Sequence, residues 1–296
     1  MREISSQILL GLLKLIGKQP WWLLHLESSI LSFFMYYLIG YRKEVIRDNL
    51  KKAGANNKHV LGVYKNLCDI AFESLKLFSA SDSSITKRVT YVNKGILDKL
   101  YSEGRNVVLA GGHMANWEIF SLALPIEIDH KTIAIYKKLS NEVFDRALKT
   151  SRERTGMEIV EMKEGVSDVR TPFLCSFIFD QSPRSPKHAW WTKFLGLETP
   201  MYPGLESFAM KQDAAVVYAA ITRTSRGRYS MEFTLLEEEV KSVARGEVLD
   251  KCLGFLEKEI QENPGDWLWT HRRWKHSRPE GVTLHKRMFS KFESWS

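Results

Sequence analysis

The sequence predicts an α/β protein: a mostly parallel sheet flanked by helices, behind an N-terminal helical region. Three observations carry that expectation. From about Asn106 onward, short runs rich in β-branched and apolar residues alternate with helix-period segments, the sequence form of a parallel sheet with crossover helices. Ahead of that region, apolar residues crowd into stretches with helical rather than alternating spacing. With 44% hydrophobic residues over 296 positions, the chain can bury one large core. No internal repeat or low-complexity linker interrupts it. The division expected is residues 1–48 as an N-terminal membrane-associated helical segment and residues 49–296 as one folded domain.

Between Ile8 and Tyr41 the chain is dominated by Leu, Ile, Phe, Trp and Tyr, broken by Lys14, Lys18, His25 and Glu27. The longest uncharged run, Ser28 to Tyr41, is short beside the roughly 20 apolar residues of a spanning helix. A helical hairpin lying in the membrane interface fits better, and a full span stays open if Glu27 is paired or Lys18 snorkels. Trp21, Trp22, Tyr36, Tyr37 and Tyr41 suit headgroup depth, and Arg42, Lys43 and Arg47 follow as a cytoplasmic anchor. Two helices packed on the folded domain satisfy the same pattern. No small-residue cleavage site follows the apolar stretch, so a cleavable signal is not expected.

Asn49 to Ala80 reads as helical. Strands are expected at Asn106–Ala110, Thr132–Tyr136, Glu158–Glu161, Phe173–Phe179, Ala215–Ile221 and Tyr229–Leu235, with helices at Asn116–Leu124, Asn141–Thr155, Pro203–Lys211 and Glu247–Glu262.

The formal net charge of +8 draws the protein to phosphate-rich or acidic partners, and the excess sits at the two ends. No nucleic-acid module accompanies it, and the apolar N-terminus points to an anionic membrane surface instead. Cys68, Cys175 and Cys252 are far apart and lack metal-ligand spacing, so neither a disulfide framework nor a metal site is expected.

The expected strand Asn106–Ala110 runs into Gly111-Gly112-His113-Met114-Ala115-Asn116-Trp117-Glu118 and then an apolar helix. Residues at the carboxyl end of a strand in such a sheet face the crevice where ligands bind, which places His113 there. The glycines permit unusual backbone angles or close approach, and a helix N-terminus favours developing negative charge. Five residues on, Glu118 can fold back onto the imidazole. A carboxylate on one ring nitrogen fixes the tautomer and leaves the other to take a proton from a hydroxyl, which is general-base chemistry. A turn histidine followed by a surface helix acid fits the same letters.

Gly112 to Glu118 resembles the His-x4-acidic motif of the lysophospholipid acyltransferase superfamily, in the form used by lipid A lauroyl and myristoyl acyltransferases. Two further blocks are similar to that family in matching order: Asp180-Gln181-Ser182-Pro183-Arg184 with Phe194-Leu195-Gly196 and Thr199-Pro200, and Trp267 to Lys275 with Arg278-Pro279-Glu280-Gly281. The resemblance spans roughly Ile8 to Gly281. It implies a glycerol-3-phosphate/lysophospholipid acyltransferase-like fold, and transfer of an acyl chain from acyl carrier protein or a coenzyme A thioester to a lipid hydroxyl at the cytoplasmic face of the inner membrane. No metal or bound cofactor is implied. Residue by residue, His113 and Glu118 match the base and its acidic partner, and Arg152 falls where relatives carry an arginine for phosphate or the acyl donor. Asp180, at the end of an apolar strand, is placed to orient His113 or the substrate. Asn116, Gln181, His271, Arg272 and Arg273 complete the substrate-binding set, the arginines because guanidinium forks grip phosphoryl oxygens at two points. The chain departs from the family in having Ala115 where many relatives have glycine and a shorter loop after Asp180.

The expectation is therefore an acyltransferase in which His113 deprotonates the acceptor, Glu118 or Asp180 supports the imidazolium, and backbone amides or Arg152 stabilise the oxyanion. Arg223, Arg226 and Arg228 are expected to greet an acidic carrier protein. Two rival readings use the same residues: acyl transfer to a lysophospholipid or amino-acid lipid, and a non-catalytic basic membrane-binding protein.

Overall fold

The computed structural model describes residues 2–136, 138–161, 172–290 and 292. Helices α1 (Arg2–Gly17), α2 (Trp21–Phe34), α3 (Lys43–Ala53), α4 (Val60–Leu77) and α5 (Asp82–Thr86) precede the first strand. They are followed by β1 (Val89–Val92), α6 (Gly95–Ser102), β2 (Val107–Gly111), α7 (Trp117–Glu127), β3 (Lys131–Tyr136), α8 (Glu142–Glu153), β4 (Glu158–Glu161) and β5 (Phe173–Ile178). The chain continues through β6 (Trp190–Phe194), β7 (Leu197–Met201), α9 (Gly204–Gln212), β8 (Ala215–Ser225), β9 (Arg228–Glu237) and α10 (Glu247–Glu262).

Seven strands form one sheet in the order β1-β9-β8-β2-β5-β3-β4. Strands β8, β2, β5, β3 and β4 share one direction, while β9 runs antiparallel to β8 and β1 follows β9. The sheet is thus mostly parallel, and all six expected strands and four expected later helices lie within it or against it. Strand β1, helix α6 and the β6–β7 hairpin were not read from the sequence. Central β2 and its neighbour β5 are nearly continuous apolar runs because helices cover both faces, the pattern of a buried parallel sheet.

The N-terminal helices pack on α4. Gly17 ends α1 against that helix so closely that a side chain there would meet the Leu75 carbonyl, and Ser79 Oγ donates to the Gly17 carbonyl at 3.0 Å. Leu24 and Ser28 of α2 are buried against it. Helix α2 runs on through a wide turn, Met35–Ile39, and stops at Gly40 in the left-handed region. Trp21 to Ile39 make one 19-residue helical stretch, by length and composition long and apolar enough to cross a bilayer, longer than the uncharged run Ser28–Tyr41 taken alone. Helix α3 crosses the expected boundary at residue 48, and its Asn49 side chain donates to the carbonyls of Trp269 and His271 at 2.8 and 2.7 Å. The two ends of the chain are thereby joined.

Glu259 of α10 is buried behind β8, where it accepts from Tyr218 Oη at 2.7 Å and the Ile221 amide at 2.6 Å. Burial pushes its carboxyl up to about 8, outweighing the two hydrogen bonds. A carboxyl held protonated in the fold but free to ionise when unfolded stabilises fully below its unfolded value near 4.3, and that stability is lost as pH rises towards about 8. Glu259→Gln keeps its carbonyl on the Ile221 amide, turns its amide nitrogen to donate to the Tyr218 oxygen, and has no proton to lose. Chemical denaturation across pH should show the variant close to wild type at pH 4 and more stable than wild type at pH 8.

Candidate active site

The site forms where β2 and β5 end side by side. The ladder pairs Gly111 with Ile178, and the Phe179 amide donates to the Gly111 carbonyl at 3.2 Å. That register brings Asp180 next to the loop that follows β2. Asp180 is buried and its carboxylate takes three hydrogen bonds. The His113 amide donates to Oδ2 at 2.9 Å, Trp267 Nε1 donates to the same oxygen at 2.7 Å, and His113 Nδ1 lies 2.5 Å from Oδ1. Burial on its own would raise this acid, but the charge and hydrogen bonds of His113, with the Trp267 indole, hold it down at about 2. An ionised Asp180 accepts the Nδ1 proton and so leaves the His113 Nε2 lone pair facing outward. Gln181, which is exposed, lies with its amide nitrogen 3.2 Å from that Nε2. It marks where a hydroxyl donor would sit.

Trp117 packs edge-on to the His113 ring at 4.9 Å between centroids. The loop between them is held from both sides. Met114 bridges Trp267, and the Ala115 amide donates to the Asp266 carbonyl at 2.9 Å. Ala115 itself adopts φ 44°, a left-handed conformation that is unusual outside glycine. The two glycines expected to supply unusual angles do not. Gly112 has an ordinary φ and provides room instead: a methyl there would lie 2.5 Å from Leu256 Cδ1 and 3.4 Å from Asp180 Oδ2.

Glu118 does not fold back onto His113. Its carboxylate accepts from Arg152 Nη2 at 2.8 Å to each oxygen and from Trp117 Nε1 at 3.1 Å. The reason is geometric. His113 lies in the loop and Glu118 in the first turn of α7, whose axis leads away from the strand, whereas Asp180 leaves the adjacent strand at the same level. Arg152, expected to meet phosphate or the acyl donor or to stabilise the oxyanion, is paired with Glu118. Both side chains are mostly buried.

The remaining expected binding residues divide. Asn116 is buried and caps α7, its Oδ1 accepting from the Glu118 and Ile119 amides at 3.1 and 3.3 Å while its Nδ2 donates to Glu73 at 2.7 Å. Its amide is spoken for. His271 Nε2 accepts from the Ser182 amide at 3.0 Å; burial, reinforced by the nearby Arg273 charge, lowers it to about 4, so it is a neutral acceptor and not a phosphate donor through that nitrogen. Arg273 is sealed in the core, donating to the Pro200 carbonyl at 3.0 Å, with burial lowering it to about 10. Arg272 is exposed beside them, as is Lys275. Arg223 and Arg226, expected at a carrier-docking surface, are tied to Asp69 at 3.1 and 2.6 Å, and Arg228 donates to the Lys87 carbonyl at 2.9 Å. They brace the fold.

The three cysteines are buried, and burial pushes the Cys68 thiol up to about 11 and that of Cys175 to about 12, which disqualifies both as nucleophiles. Ser121 Oγ donates to the Glu118 carbonyl at 2.7 Å. Among the described residues, no cluster of three His, Cys, Asp or Glu is arranged to hold a metal. Two contributors escaped the sequence reading. Trp267, which the sequence offers only as part of a family-like block, donates to Asp180, and Glu73, which it offers only as part of a helix, accepts from Asn116. An acid at Glu73, seven residues after Asn66 and four after Asp69 on one helical face, was the available signal.

Residues 5–276 match the model of the bacterial lipid A biosynthesis acyltransferase family. The chain belongs to that family. The match takes in the His113 loop, Asp180 and the Trp267 segment together, the three blocks that the fold assembles into one site. No curated protein matches the chain significantly.

The fit at Gly112 is testable. Gly112→Ala should destabilise the protein by about 1–3 kcal/mol through overpacking against Leu256. Leu256→Ala should cost about 2–5 kcal/mol by itself. The double variant should lose clearly less than the sum, because the new methyl then occupies vacated space. Urea denaturation of the four proteins gives the comparison.

Proposed function

We propose that this protein transfers a fatty acyl chain from a thioester, carried by acyl carrier protein or coenzyme A, to a hydroxyl of a lipid A precursor-like glycolipid at the cytoplasmic face of the inner membrane. The observation that carries the reading is the Asp180–His113 contact, with the second imidazole nitrogen turned outward. His113 Nε2 takes the acceptor proton as its oxygen attacks the thioester carbonyl, the thiolate leaves, and the proton returns to the leaving sulfur. Asp180 stabilises the imidazolium formed in between. Burial of the thiols and the engagement of Ser121 favour direct transfer over an acyl-enzyme. Arg272 and Lys275, exposed next to His271, supply cations for the phosphate groups of donor or acceptor.

Membrane attachment rests on α1 and α2. Ile4, Ile8, Leu12, Leu15, Trp22, Phe33, Leu38 and Ile39 are exposed on them, an apolar surface far larger than soluble proteins leave uncovered. Burying three such side chains in lipid is worth about 1.5–3 kcal/mol each. Trp22→Ser, Leu38→Ser and Ile39→Ser combined should therefore shift the protein from the membrane to the soluble fraction with little change in melting temperature, since the three residues are 62–70% exposed. Retention of the folded triple variant on membranes would assign the anchor elsewhere.

His113→Ala should lower acyl transfer by at least about 10²-fold without unfolding the protein. Asp180→Asn should lose comparable activity, and the double variant little more than either, because the two act as one unit. Glu118→Gln should add its own separate loss, since it works through Arg152. Transfer assays with a radiolabelled acyl thioester and defined lipid acceptors measure all four. A folded His113→Ala protein with near-normal turnover would refute the assignment.

A further inference from the structure

Glu73 of α4 is fully buried, and its carboxyl group is met from three elements. Oε2 accepts from Asn116 Nδ2 at 2.7 Å and from Tyr229 Oη of β9 at 2.7 Å, while Oε1 lies 3.0 Å from His25 Nε2 of α2. Asn116 is the residue whose other amide atom caps α7, immediately after the strained Ala115 and three positions from His113. One carboxyl group therefore touches both the apolar helix α2 and the loop that carries the base.

A second line of contacts runs parallel to the first. Ser28 of α2 donates to Asp69 at 2.5 Å. Arg223 bonds both Asp69 and Asn66, and Asn66 Nδ2 donates at 2.8 Å to the Asp266 carbonyl, the same oxygen that receives the Ala115 amide. Asn66, Asp69 and Glu73 form a polar stripe on α4, all buried between α2 and the catalytic loop. A helix held only by apolar packing has no need of three buried polar groups, each of which costs free energy unless fully bonded. The stripe faces the loop in which Ala115 takes a left-handed backbone conformation.

Resting on the functional reading above, we propose that Glu73 is a positioning residue that couples the seating of α2 to the geometry of His113: His25 fixes the carboxyl, the carboxyl fixes the Asn116 amide, and Asn116 fixes the start of α7 and the Trp117 ring against His113. Helix α2 is then a supporting part of the active site as well as an apolar surface. Withdrawing His25 leaves Glu73 with an unmet oxygen and a freer amide at Asn116. The loop samples more conformations and the base is less often aimed at the hydroxyl, so turnover falls while substrate affinity does not.

The full-length protein in detergent micelles serves for the test, with His25→Ala, His25→Gln, Glu73→Gln and the double variant His25→Ala with Glu73→Gln. Two measurements are made: kcat and KM for acyl transfer, and hydrogen–deuterium exchange resolved to the peptide spanning 113–119. His25→Ala should lower kcat by about tenfold with KM within about twofold, and speed exchange at 113–119. His25→Gln, which can still donate to Glu73, should recover most of both. In the Glu73→Gln background His25→Ala should have little further effect. Folded His25→Ala with wild-type kcat, or with wild-type exchange at 113–119, overturns the proposal, as do losses that simply add in the double variant. Should His25→Ala not fold, Glu73→Gln against wild type carries the same two criteria. Faster exchange at 113–119 in a protein whose wild type shows no acyl transfer would count against the functional reading and leave the physical coupling standing.

Discussion

The carboxylate of Asp180 is the fixed point around which this site is organised. A buried carboxylate is costly in an apolar interior, and it survives there only where several donors converge on it. Here the donors come from two distant parts of the chain: the His113 amide and ring after β2, and the Trp267 indole after α10. Meeting the hydrogen-bonding needs of one anion therefore fixes the path of the loop 112–116, the orientation of the imidazole and the docking of the C-terminal segment. The parallel pairing of β2 with β5 makes this possible, because it delivers both strand ends to the same edge of the sheet.

The segments that wrap this centre are braced by side-chain hydrogen bonds rather than by sheet pairing. Asn49 holds the Trp269 and His271 carbonyls, Arg42 reaches the Thr270 carbonyl, and Arg223 with Asp69 and Asn66 ties α4 to β8. Arg223, which reads from the sequence as part of a docking surface, is engaged in these contacts. Arg272 and Lys275, beside His271, are among the exposed cations near the site.

Much of the architecture was legible because β2, β5 and β8 are apolar runs bounded by turn residues, and the helices between them keep a strong 3.6-residue period. The β6–β7 hairpin was not, since Trp190-Trp191-Thr192-Lys193-Phe194 and its partner mix sizes and polarity without clean alternation. His113 was legible from its glycines and its place after a strand. Its acidic partner was not uniquely so. Spacing along the chain favoured Glu118, while the actual neighbour, Asp180, is 67 residues away and becomes adjacent only through strand order. Periodicity says which face of an element is buried; it does not say which two strand ends will stand side by side. The same limit hid Trp267 and Glu73, whose partners all come from other elements.

Two carboxyl groups close enough to influence one another end up in opposite states at this site. Asp180 and Glu259 are both fully buried, and the negative charge of Asp180 is among the influences that raise Glu259. Two neighbouring anions in a low-dielectric interior would repel, so the environment divides them. Asp180 receives three donors, one of them the histidine that can itself become positive, and is held at about 2. Glu259 receives a phenol and one amide, no cation, and is pushed up to about 8. Of these two carboxyls, only Asp180 is therefore charged at neutral pH. That arrangement suits the base proposed above: enough charge to favour an imidazolium as a proton arrives, with no charge on Glu259 to hold the proton there.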